Sequence, residues 1–324
     1  MSYDDIALKE GVPKTSVIRI CSCPSGRETV ALKVSVEKAK KTSKSSLKRK
    51  HAAEEHTIVP IKLGMGCVSL WARSETSDMT SQSELFINKY YRPKDALARQ
   101  VCGSAAATWS VLDVGANCGY ASIFLRREVL CGEIRQHIVV EPGADNLEIL
   151  VKNLQMCSIS ARVVRAAVSH KAGVGKLHSS SVYNKYRKTL MPTAKNTSTE
   201  NVTLIPAADL LNTLNDYKAN NIFIKIDCEG GEKFLAAAFG KWLSSLTKTD
   251  CVVVVVEVSF DNLDLSFACY EAFKALFRNV RNDWVLMREV WERPPHGAGD
   301  NGFERLAANA ASRGEMFFVR RSTG

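Results

Sequence analysis

The stretch VLDVGANCGY, residues 111–120, decides the fold of this chain. Apolar residues surround Asp113, and Gly115 and Gly119 follow four residues apart with Asn117 between them. A short apolar run that leads into a glycine turn and then into a helical pattern is typical of the first strand, turn and helix of a nucleotide-binding α/β sheet. The free N–H groups at the start of such a helix attract an anionic group of a ligand.

The segments around this stretch alternate between strand-like and helix-like patterns. The strand-like runs are short and apolar: residues 110–114, 137–141, 162–168, 221–227 and 251–258. The helix-like runs repeat apolar residues every three or four positions: residues 119–130, 144–157, 230–246 and 266–280. This alternation predicts a mostly parallel, doubly wound sheet with helices on both faces. A Pro- and Gly-rich segment separates the last two strand-like runs, 284–290 and 316–321, so we expect a final antiparallel pair.

Length and composition are those of an ordinary globular protein. The 324 residues are 45% hydrophobic and 24% charged. No apolar run approaches the ~20 residues that a membrane helix needs, and the polar start of the chain, MSYDDIALKE, has no secretory signal pattern. The ten cysteines are scattered singly apart from Cys21 and Cys23. Scattered cysteines are typical of reduced thiols, so we expect an intracellular, cytoplasmic protein.

Residues 1–57 are predicted to form a basic, partly flexible N-terminal extension, and residues 58–324 to form the main domain. Much of the positive charge of the extension lies in KAKKTSKSSLKRKH, residues 38–51. A solvated segment, a nuclear-import signal and a nucleic-acid contact are all compatible with this run. It contains no Phe, Tyr or Trp on which a base would stack. The runs at 16–20 and 29–36 are compatible with an accessory hairpin.

The acid inside the first strand argues for a ligand without phosphate. A dinucleotide would bring its pyrophosphate to the glycine turn, where Asp113 would repel it, whereas an ammonium group would be attracted. Glu141 ends the second strand, where an acid accepts hydrogen bonds from ribose hydroxyls. S-adenosylmethionine carries a ribose and an amino acid zwitterion but no phosphate, so it is the predicted ligand. A structural glycine turn in an unrelated α/β protein is the alternative interpretation.

With its later segments the chain resembles the FkbM family of S-adenosylmethionine-dependent methyltransferases. The similar stretches run from about residue 68 to residue 319: RSETSD (73–78), INKYYRP (87–93), VLDVGANCGY (111–120), VVEPGADNLEILVKN (139–153), IKIDCEGGE (224–232) and VVVVVEV (252–258). The resemblance implies a class I methyltransferase Rossmann-like fold, with a mostly parallel doubly wound sheet and an antiparallel last strand. It implies cofactor contacts at Asp113, Gly115, Asn117, Gly119 and Glu141, with Asn146 and Ala167 near the ribose and adenine.

The stretch IKIDCEGGE, residues 224–232, is the second informative one. Asp227 ends a strand at the point that faces the transferred methyl group, and Lys225 lies on the same face of that strand. Glu229 and Glu232 follow at the start of a helix. A general base, a metal site and negative charges that favour a helix N-terminus are the alternatives for these acids. We expect Asp227, with Glu229 and Lys225 beside it, to orient or deprotonate the acceptor.

The expected site contains no metal, because a metal would need further oxygen ligands, for example from Glu257 at the end of the next strand. His178 is an alternative base. Asn117 stands where a glycine is common, and asparagine tolerates the left-handed backbone conformation of such a turn.

Two segments are candidates for covering this site. Residues 170–199 are predicted to be a loop, and they contain basic residues without any acid: Lys171, Lys176, Lys185, Arg187, Lys188 and Lys195. A solvated loop and a lid that contacts an acidic or sugar-like acceptor are the two interpretations. Residues 67–93 are expected to hold a strand and a short helix capped by Asp78 or Thr80. Within it, residues 73–91 are the second candidate for covering the site, with Arg73, Asp78 and Tyr91 as the candidate residues.

Three functions follow from these patterns. The first is a methyltransferase of EC class 2.1.1 that acts on a hydroxyl group of a small molecule, sugar or glycan, as the resemblance implies. The second is an RNA or protein methyltransferase that uses the basic extension, and the third is a non-catalytic cofactor-binding scaffold. Against methylation of a base amine, the strand end reads IDCEGG and lacks the Pro-Pro-aromatic sequence of such enzymes. We expect no membrane partner, and the sequence does not indicate an oligomeric state.

Overall fold

The structure is a computed structural model, and it describes the chain in several ranges: residues 56–63, 66–73, 76–87, 89, 91–93, 96–179, 188–190, 198–215, 219–246, 251–259, 284–291 and 313–320. The expected hairpin at 16–20 and 29–36, the basic run at 38–51 and the expected helix at 266–280 lie outside these ranges. None of the helices in the described ranges is long and apolar enough to cross a membrane.

Strands and helices alternate along most of the described chain. In order they are β1 (His56–Leu63), β2 (Gly66–Arg73), α1 (Asp78–Gln82), α2 (Ala96–Cys102), β3 (Thr108–Val114), α3 (Tyr120–Phe124), β4 (Glu133–Val140), α4 (Ala144–Met156), β5 (Arg162–Val164), β6 (Ala167–Ser169), β7 (Gly173–Ser179), β8 (Lys188–Thr189), β9 (Ser198–Pro206), α5 (Ala207–Asn212), β10 (Asn221–Ile226), α6 (Glu232–Ser245), β11 (Cys251–Ser259), β12 (Trp284–Trp291) and β13 (Arg313–Arg320). Wider, π-helical turns extend α1 over Ser83–Ile87 and α3 over Leu125–Val129.

The main sheet has the order β12-β13-β11-β10-β3-β4-β5. The strands β5, β4, β3, β10 and β11 run parallel, and β13 lies antiparallel between β11 and β12. The prediction of a mostly parallel, doubly wound sheet with an antiparallel last strand is therefore confirmed. The chain moves outward from β3 through β4 and β5, then continues on the other side of β3 with β10 and β11. Ligands bind beyond the carboxyl ends of the strands at such a reversal, here β3 and β10.

The core lies in two layers, one on each face of the main sheet. Successive strand residues point to opposite faces, so Val111 and Phe223 pack with residues of α3 and α4, while Leu112 and Ile224 pack with residues of α5 and α6. Burial on both faces explains why these strands read as continuous apolar runs.

The helix α4 shows how sequence spacing sets up the site. Its buried residues are Asn146, Ile149, Leu150, Asn153 and Leu154. They follow the helical repeat of three and four, so one stripe of the helix faces the core. Two of these inward positions carry amides rather than apolar groups, and both amides contact polar atoms of the site or its surroundings.

The predicted single strand at 162–168 is wrong, because the structure contains two strands there. β5 ends the main sheet at Val164, and β6 begins a separate four-stranded sheet of order β6-β9-β7-β8. The chain turns between them at Arg165 and Ala166, where the Ala166 N–H donates to the Val164 carbonyl at 3.1 Å. No glycine or proline marks this break, so the apolar run reads as one element.

The predicted loop at 170–199 is also wrong where the structure describes it, because β7 and β8 pair there as antiparallel strands. Residues 180–187 and 191–197, with Lys185, Arg187 and Lys195, lie outside the described ranges. Leu177 of β7 packs with Val202 of β9 and Ala167 of β6 in a small core. The other residues of β7 are polar or glycine apart from the exposed Val174, so the strand has too little hydrophobic alternation to be recognised.

Candidate active site

The turn after β3, residues 115–119, has the left-handed backbone that its sequence predicts. Gly115, Asn117 and Gly119 have φ angles of 76°, 50° and 82°, a region open to glycine and tolerated by asparagine. A Cβ atom on Gly115 would overlap the carbonyl group of Asp227 at the end of β10. The glycine turn and the end of β10 therefore touch backbone to backbone, and only glycine fits at position 115.

The carboxylate of Glu141, which follows β4, is buried beside this turn. It accepts hydrogen bonds from the Asn117 N–H at 2.9 Å, the Gly143 N–H at 2.9 Å and the Asn146 side-chain amide at 3.0 Å. Burial raises the pKa of Glu141 above its ordinary value, although these donors and Lys188 oppose that shift. A carboxylate has about four acceptor positions, so capacity remains for a hydroxyl donor of a ligand.

A buried ion pair lies behind Glu141. The Arg73 guanidinium donates to both carboxylate oxygens of Asp78, at 2.9 and 2.8 Å, and its Nη2 also donates to the Asn146 Oδ1 at 3.0 Å. Both side chains of the pair are 1% exposed, so Arg73 and Asp78 do not cover the site as expected. Asp78 does not cap α1 either, because Arg73 occupies its carboxylate and the Asp78 N–H donates to the Thr76 hydroxyl at 3.2 Å.

Lys225 of β10 connects the glycine turn to the expected catalytic carboxylate. Its Nζ donates to the Gly115 carbonyl at 2.7 Å and lies 3.2 Å from the Asp113 Oδ1 and 3.6 Å from the Asp227 Oδ2. Burial opposes the charge of this side chain, but Asp113, Asp227 and Glu257 raise the pKa of Lys225 above its ordinary value. Lys225 is only 2% exposed, and these contacts make it a positioning residue for its neighbours in the protein.

Asp113 is fully buried, and it lies directly opposite Lys225 in the paired strands. Its Oδ2 accepts a hydrogen bond from the Ser122 hydroxyl at 2.7 Å, and its charge is balanced by Lys225. The sequence interpretation assigned a ligand ammonium to this carboxylate as its partner. In the structure a lysine of the protein already takes that place.

The Ser122 hydroxyl also contacts His137 of β4, at 3.1 Å from its Nε2. Since Ser122 donates its single proton to Asp113, the His137 Nε2 must carry the proton of a neutral ring. Burial lowers the pKa of His137 to about 4, partly offset by Asp113. His137 and Ser122 were not predicted from the sequence. The histidine within the apolar run HIVV is the signal that could have identified His137.

The free energy of unfolding is expected to fall by about 3 kcal/mol between pH 7 and pH 4, because His137 takes up a proton more readily in the unfolded chain than in the folded one. Its folded pKa of about 4 lies below the ordinary 6.5. Above pH 6.5 the ring is neutral in both states, and as the pH falls only the unfolded chain takes up a proton. Urea denaturation of wild type and His137→Gln across this range measures the effect. Equal pH dependence of the two proteins would contradict it.

Tyr91 brings together the carboxylates at the ends of β10 and β11. Its hydroxyl lies 2.8 Å from the Glu257 Oε2 and 3.3 Å from the Asp227 Oδ2. The Asp227 side chain is 26% exposed. Tyr91 and Lys225 both contact its Oδ2, and no hydrogen bond to its Oδ1 is found within the described ranges. This accessible oxygen beside the glycine turn can accept a proton or a hydrogen bond.

Glu229 and Glu232, the remaining acids of the turn at 227–232, have different roles. Glu232 is buried, and its carboxylate accepts hydrogen bonds from the N–H groups of Cys228 at 2.8 Å and Gly230 at 2.7 Å. Burial raises the pKa of Glu232 above its ordinary value. Glu229 has a left-handed φ of 51°, and its carbonyl accepts the Thr189 hydroxyl at 2.6 Å. Glu232 therefore shapes the turn, as the helix N-terminus interpretation expects.

Ala167 and His178, which were also candidates for the site, lie in strands rather than in loops. Ala167 begins β6 and lies in the small core, so it does not follow the third strand of the main sheet directly. His178 lies half-buried in β7 opposite Thr189 and Thr199. Within the described ranges, no three His, Cys, Asp or Glu residues are arranged to hold a metal ion.

Lys188 of β8 was expected in a loop but reaches the cofactor side of the site. Its Nζ pairs with Glu200 at 2.9 Å and with Asp145 at 3.4 Å. Its aliphatic chain packs so closely on Gly143 that a Cβ there would meet it. The short strand β8 thus contacts the Glu141 turn through Lys188 and the Glu229 turn through Thr189.

The sheet order, the antiparallel last strand and the acid-lined reversal point define a class I methyltransferase Rossmann-like fold. Residues 113–282, about half of the chain, match the family model described as Methyltransferase FkbM domain. The chain therefore belongs to the FkbM methyltransferase family. No curated protein matches its sequence significantly.

Several solved structures are similar to this chain at low identity. The O-methyltransferase from Bacillus cereus in complex with SAH is 13% identical with a TM-score of 0.38, over 77% of this chain and 92% of that chain. TomG, an O-methyltransferase from Streptomyces achromogenes in complex with SAM, is 14% identical with a TM-score of 0.39, over 75% and 89%. Methyltransferase FkbM from Methylobacillus flagellatus KT is 14% identical with a TM-score of 0.37, over 64% of this chain and 43% of that chain.

Proposed function

We propose that this protein transfers a methyl group from S-adenosylmethionine to a hydroxyl group of a small molecule or a glycan. The observation that carries the proposal is the accessible carboxylate of Asp227 at the reversal point of the sheet. Because the backbones of Gly115 and Asp227 touch, a ligand held at the glycine turn and an acceptor beside Asp227 would be neighbours. Alignment of two bound reactants is itself a large part of catalysis.

The residues around the glycine turn fit S-adenosylmethionine. Glu141 keeps acceptor capacity for ribose hydroxyls, in addition to its three donors from the protein. The buried Oδ1 of Asn117 has no hydrogen-bond partner within the described ranges. Since Lys225 already balances Asp113, we assign the ammonium group of the ligand to the Asn117 amide oxygen.

S-adenosylmethionine supplies an electrophilic methyl group when bound, so the chain must orient the nucleophile and accept its proton. Tyr91 and Lys225 hold the Asp227 Oδ2 at 3.3 and 3.6 Å. The Oδ1 then faces an acceptor hydroxyl, orients it by a hydrogen bond and takes its proton as the methyl group is transferred.

The same cluster favours acceptors that donate hydrogen bonds. Asp227, Glu257 and the Tyr91 hydroxyl lie together, with Lys225 as the buried cation beside them. Two neighbouring carboxylates attract hydroxyl groups and repel phosphates or carboxylates of an acceptor. A neutral, hydroxyl-bearing acceptor such as a sugar suits this charge.

Calorimetric titration with S-adenosylmethionine and S-adenosylhomocysteine tests the cofactor, and we expect both to bind. A label-transfer screen against sugars, small alcohols and RNA then tests the acceptor, and we expect transfer to hydroxyl compounds. Absence of binding by either cofactor form would rule out the proposal. Transfer to RNA alone would favour the nucleic-acid alternative.

Glu141→Ala is expected to weaken binding of S-adenosylhomocysteine by about 10- to 100-fold. Hydrogen bonds to a charged group each contribute about 1.5–3 kcal/mol, and tenfold in affinity corresponds to about 1.4 kcal/mol. Calorimetry measures the loss directly. Glu148→Ala is the matched control, because that carboxylate is half-exposed on the surface of α4, where it pairs with Lys152. Unchanged affinity in Glu141→Ala would place the ribose elsewhere.

A further inference from the structure

We infer that Arg73 and Asp78 are positioning residues for the cofactor, because they hold Asn146, and through it Glu141, in the orientation that binds the ribose. This inference rests on the proposed function. Both residues precede the segment 113–282 that matches the family model. The hairpin of β1 and β2 and the start of α1 would then be part of the cofactor site.

The Arg73–Asp78 pair is held rigidly inside the protein. The Arg73 Nε and Nη2 donate to the two carboxylate oxygens, and the Arg73 backbone N–H donates to the same carboxylate at 2.9 Å. A buried ion pair of this kind adds little net stability, since desolvation offsets most of its attraction. We therefore expect the Arg73–Asp78 pair to orient a neighbouring group rather than to stabilise the fold.

The neighbouring group is the side-chain amide of Asn146. The Arg73 Nη2 lies 3.0 Å from the Asn146 Oδ1 and 2.9 Å from the Cys118 Sγ. Because a guanidinium can only donate hydrogen bonds, it favours the oxygen end of the Asn146 amide on its side. The Nδ2 end of the same amide must then turn toward the Glu141 Oε1, which it meets at 3.0 Å. Arg73 and Glu141 therefore favour the same orientation of this amide, and Arg73 holds its oxygen end in place.

The orientation of the Glu141 carboxylate depends on which end of the Asn146 amide faces it. Its Oε1 is held by the Asn146 amide and the Gly143 N–H, and its Oε2 by the Asn117 N–H. These donors fix the plane of the carboxylate and therefore the direction of its remaining lone pairs. A reversed amide would set the Asn146 oxygen against the Glu141 oxygen, and two acceptors facing each other would displace the carboxylate.

The competing explanation is that the hairpin stabilises the site only by docking on the domain. Tyr120→Phe separates the two explanations. The Tyr120 hydroxyl donates to the Trp71 carbonyl at 2.8 Å, two residues before Arg73. The change loosens the same strand, and Tyr120 has no contact with Asn146 or Glu141 among the hydrogen bonds of the described residues.

The test measures the affinity of the full chain for S-adenosylhomocysteine by calorimetry, with thermal unfolding as a second readout. Asn146→Ala and the double variant Arg73→Met with Asp78→Asn are expected to bind about tenfold more weakly. The double variant removes both charges together, so neither is left unpaired in the interior. Tyr120→Phe is expected to unfold at a lower temperature and to bind as the wild type does.

A double-mutant cycle with Glu141→Ala identifies the route of the effect. In that background Asn146→Ala should cost no further affinity, because the group it positions is gone. An equal loss in both backgrounds, or a loss in Tyr120→Phe as large as in Asn146→Ala, would overturn the inference. If the Arg73 and Asp78 double variant does not fold, Arg73→Met with Asp78→Leu replaces it, because this apolar pair also lacks a donor to Asn146. Wild-type affinity in that variant would also overturn the inference. Failure of the wild type to bind would instead overturn the proposed function, and this inference with it.

Discussion

Asp227→Asn is expected to lower the rate of methyl transfer by about 10²- to 10⁴-fold, the usual contribution of a general base. The amide keeps the shape of the carboxylate and its place 3.3 Å from the Tyr91 hydroxyl, whose shorter contact is to Glu257, so the turn should keep its structure. It cannot take up the acceptor proton. Cofactor affinity should be unchanged, because the proposed cofactor contacts come from Glu141 and Asn117 and not from the Asp227 carboxylate.

Single-turnover label transfer to an acceptor found in the screen measures this rate, and calorimetry measures the cofactor affinity. Glu229→Gln is the matched control in the same turn. Its left-handed backbone and the carbonyl that accepts the Thr189 hydroxyl both survive the change. Normal turnover in Asp227→Asn would remove this residue from the catalytic role. Lost turnover in Glu229→Gln alone would transfer that role to Glu229.

The main sheet was predictable because its signals are local. Continuous apolar runs at 110–114, 221–227 and 251–258 are each bounded by turn residues and followed by a helical repeat in the sequence. The helix expected at 266–280 lies outside the described ranges. The small sheet was not predictable in the same way. Leu177 is the one buried apolar residue of β7, so its core of a few side chains leaves almost no alternation in the sequence.

The candidate site also has a part that was predictable from the sequence and a part that was not. The glycine turn and Glu141 were found because their spacing follows from one strand, one turn and the next strand end. The contacts that orient them join distant segments: Arg73 meets Asn146, 73 residues away, and Lys225 meets Gly115, 110 residues away. Such contacts depend on strand order and register, which one sequence does not contain. The pairing of Asp113 with Lys225 was therefore not predicted.

Lys225→Met is expected to lower the free energy of unfolding by about 3–5 kcal/mol, as when one partner of a buried ion pair is removed. The change leaves the Asp113 carboxylate charged in an interior where the side chain has no exposure. It also removes the donor to the Gly115 carbonyl at 2.7 Å. Urea denaturation at neutral pH measures the loss. Lys152→Met, which breaks the exposed pair with Glu148, is the control and should cost less than about 1 kcal/mol.

The double variant Lys225→Met with Asp113→Asn should recover most of that loss. A buried ion pair contributes little net stability, and the amide at position 113 still accepts the Ser122 hydroxyl and carries no unbalanced charge. Stability equal to the sum of the two single losses would show that the residues are not coupled. The rate of methyl transfer should not recover together with the stability. Lys225 also lies 3.6 Å from the Asp227 Oδ2, so the stable double variant no longer ties the glycine turn to the proposed catalytic carboxylate. Its turnover should therefore fall by more than its cofactor affinity.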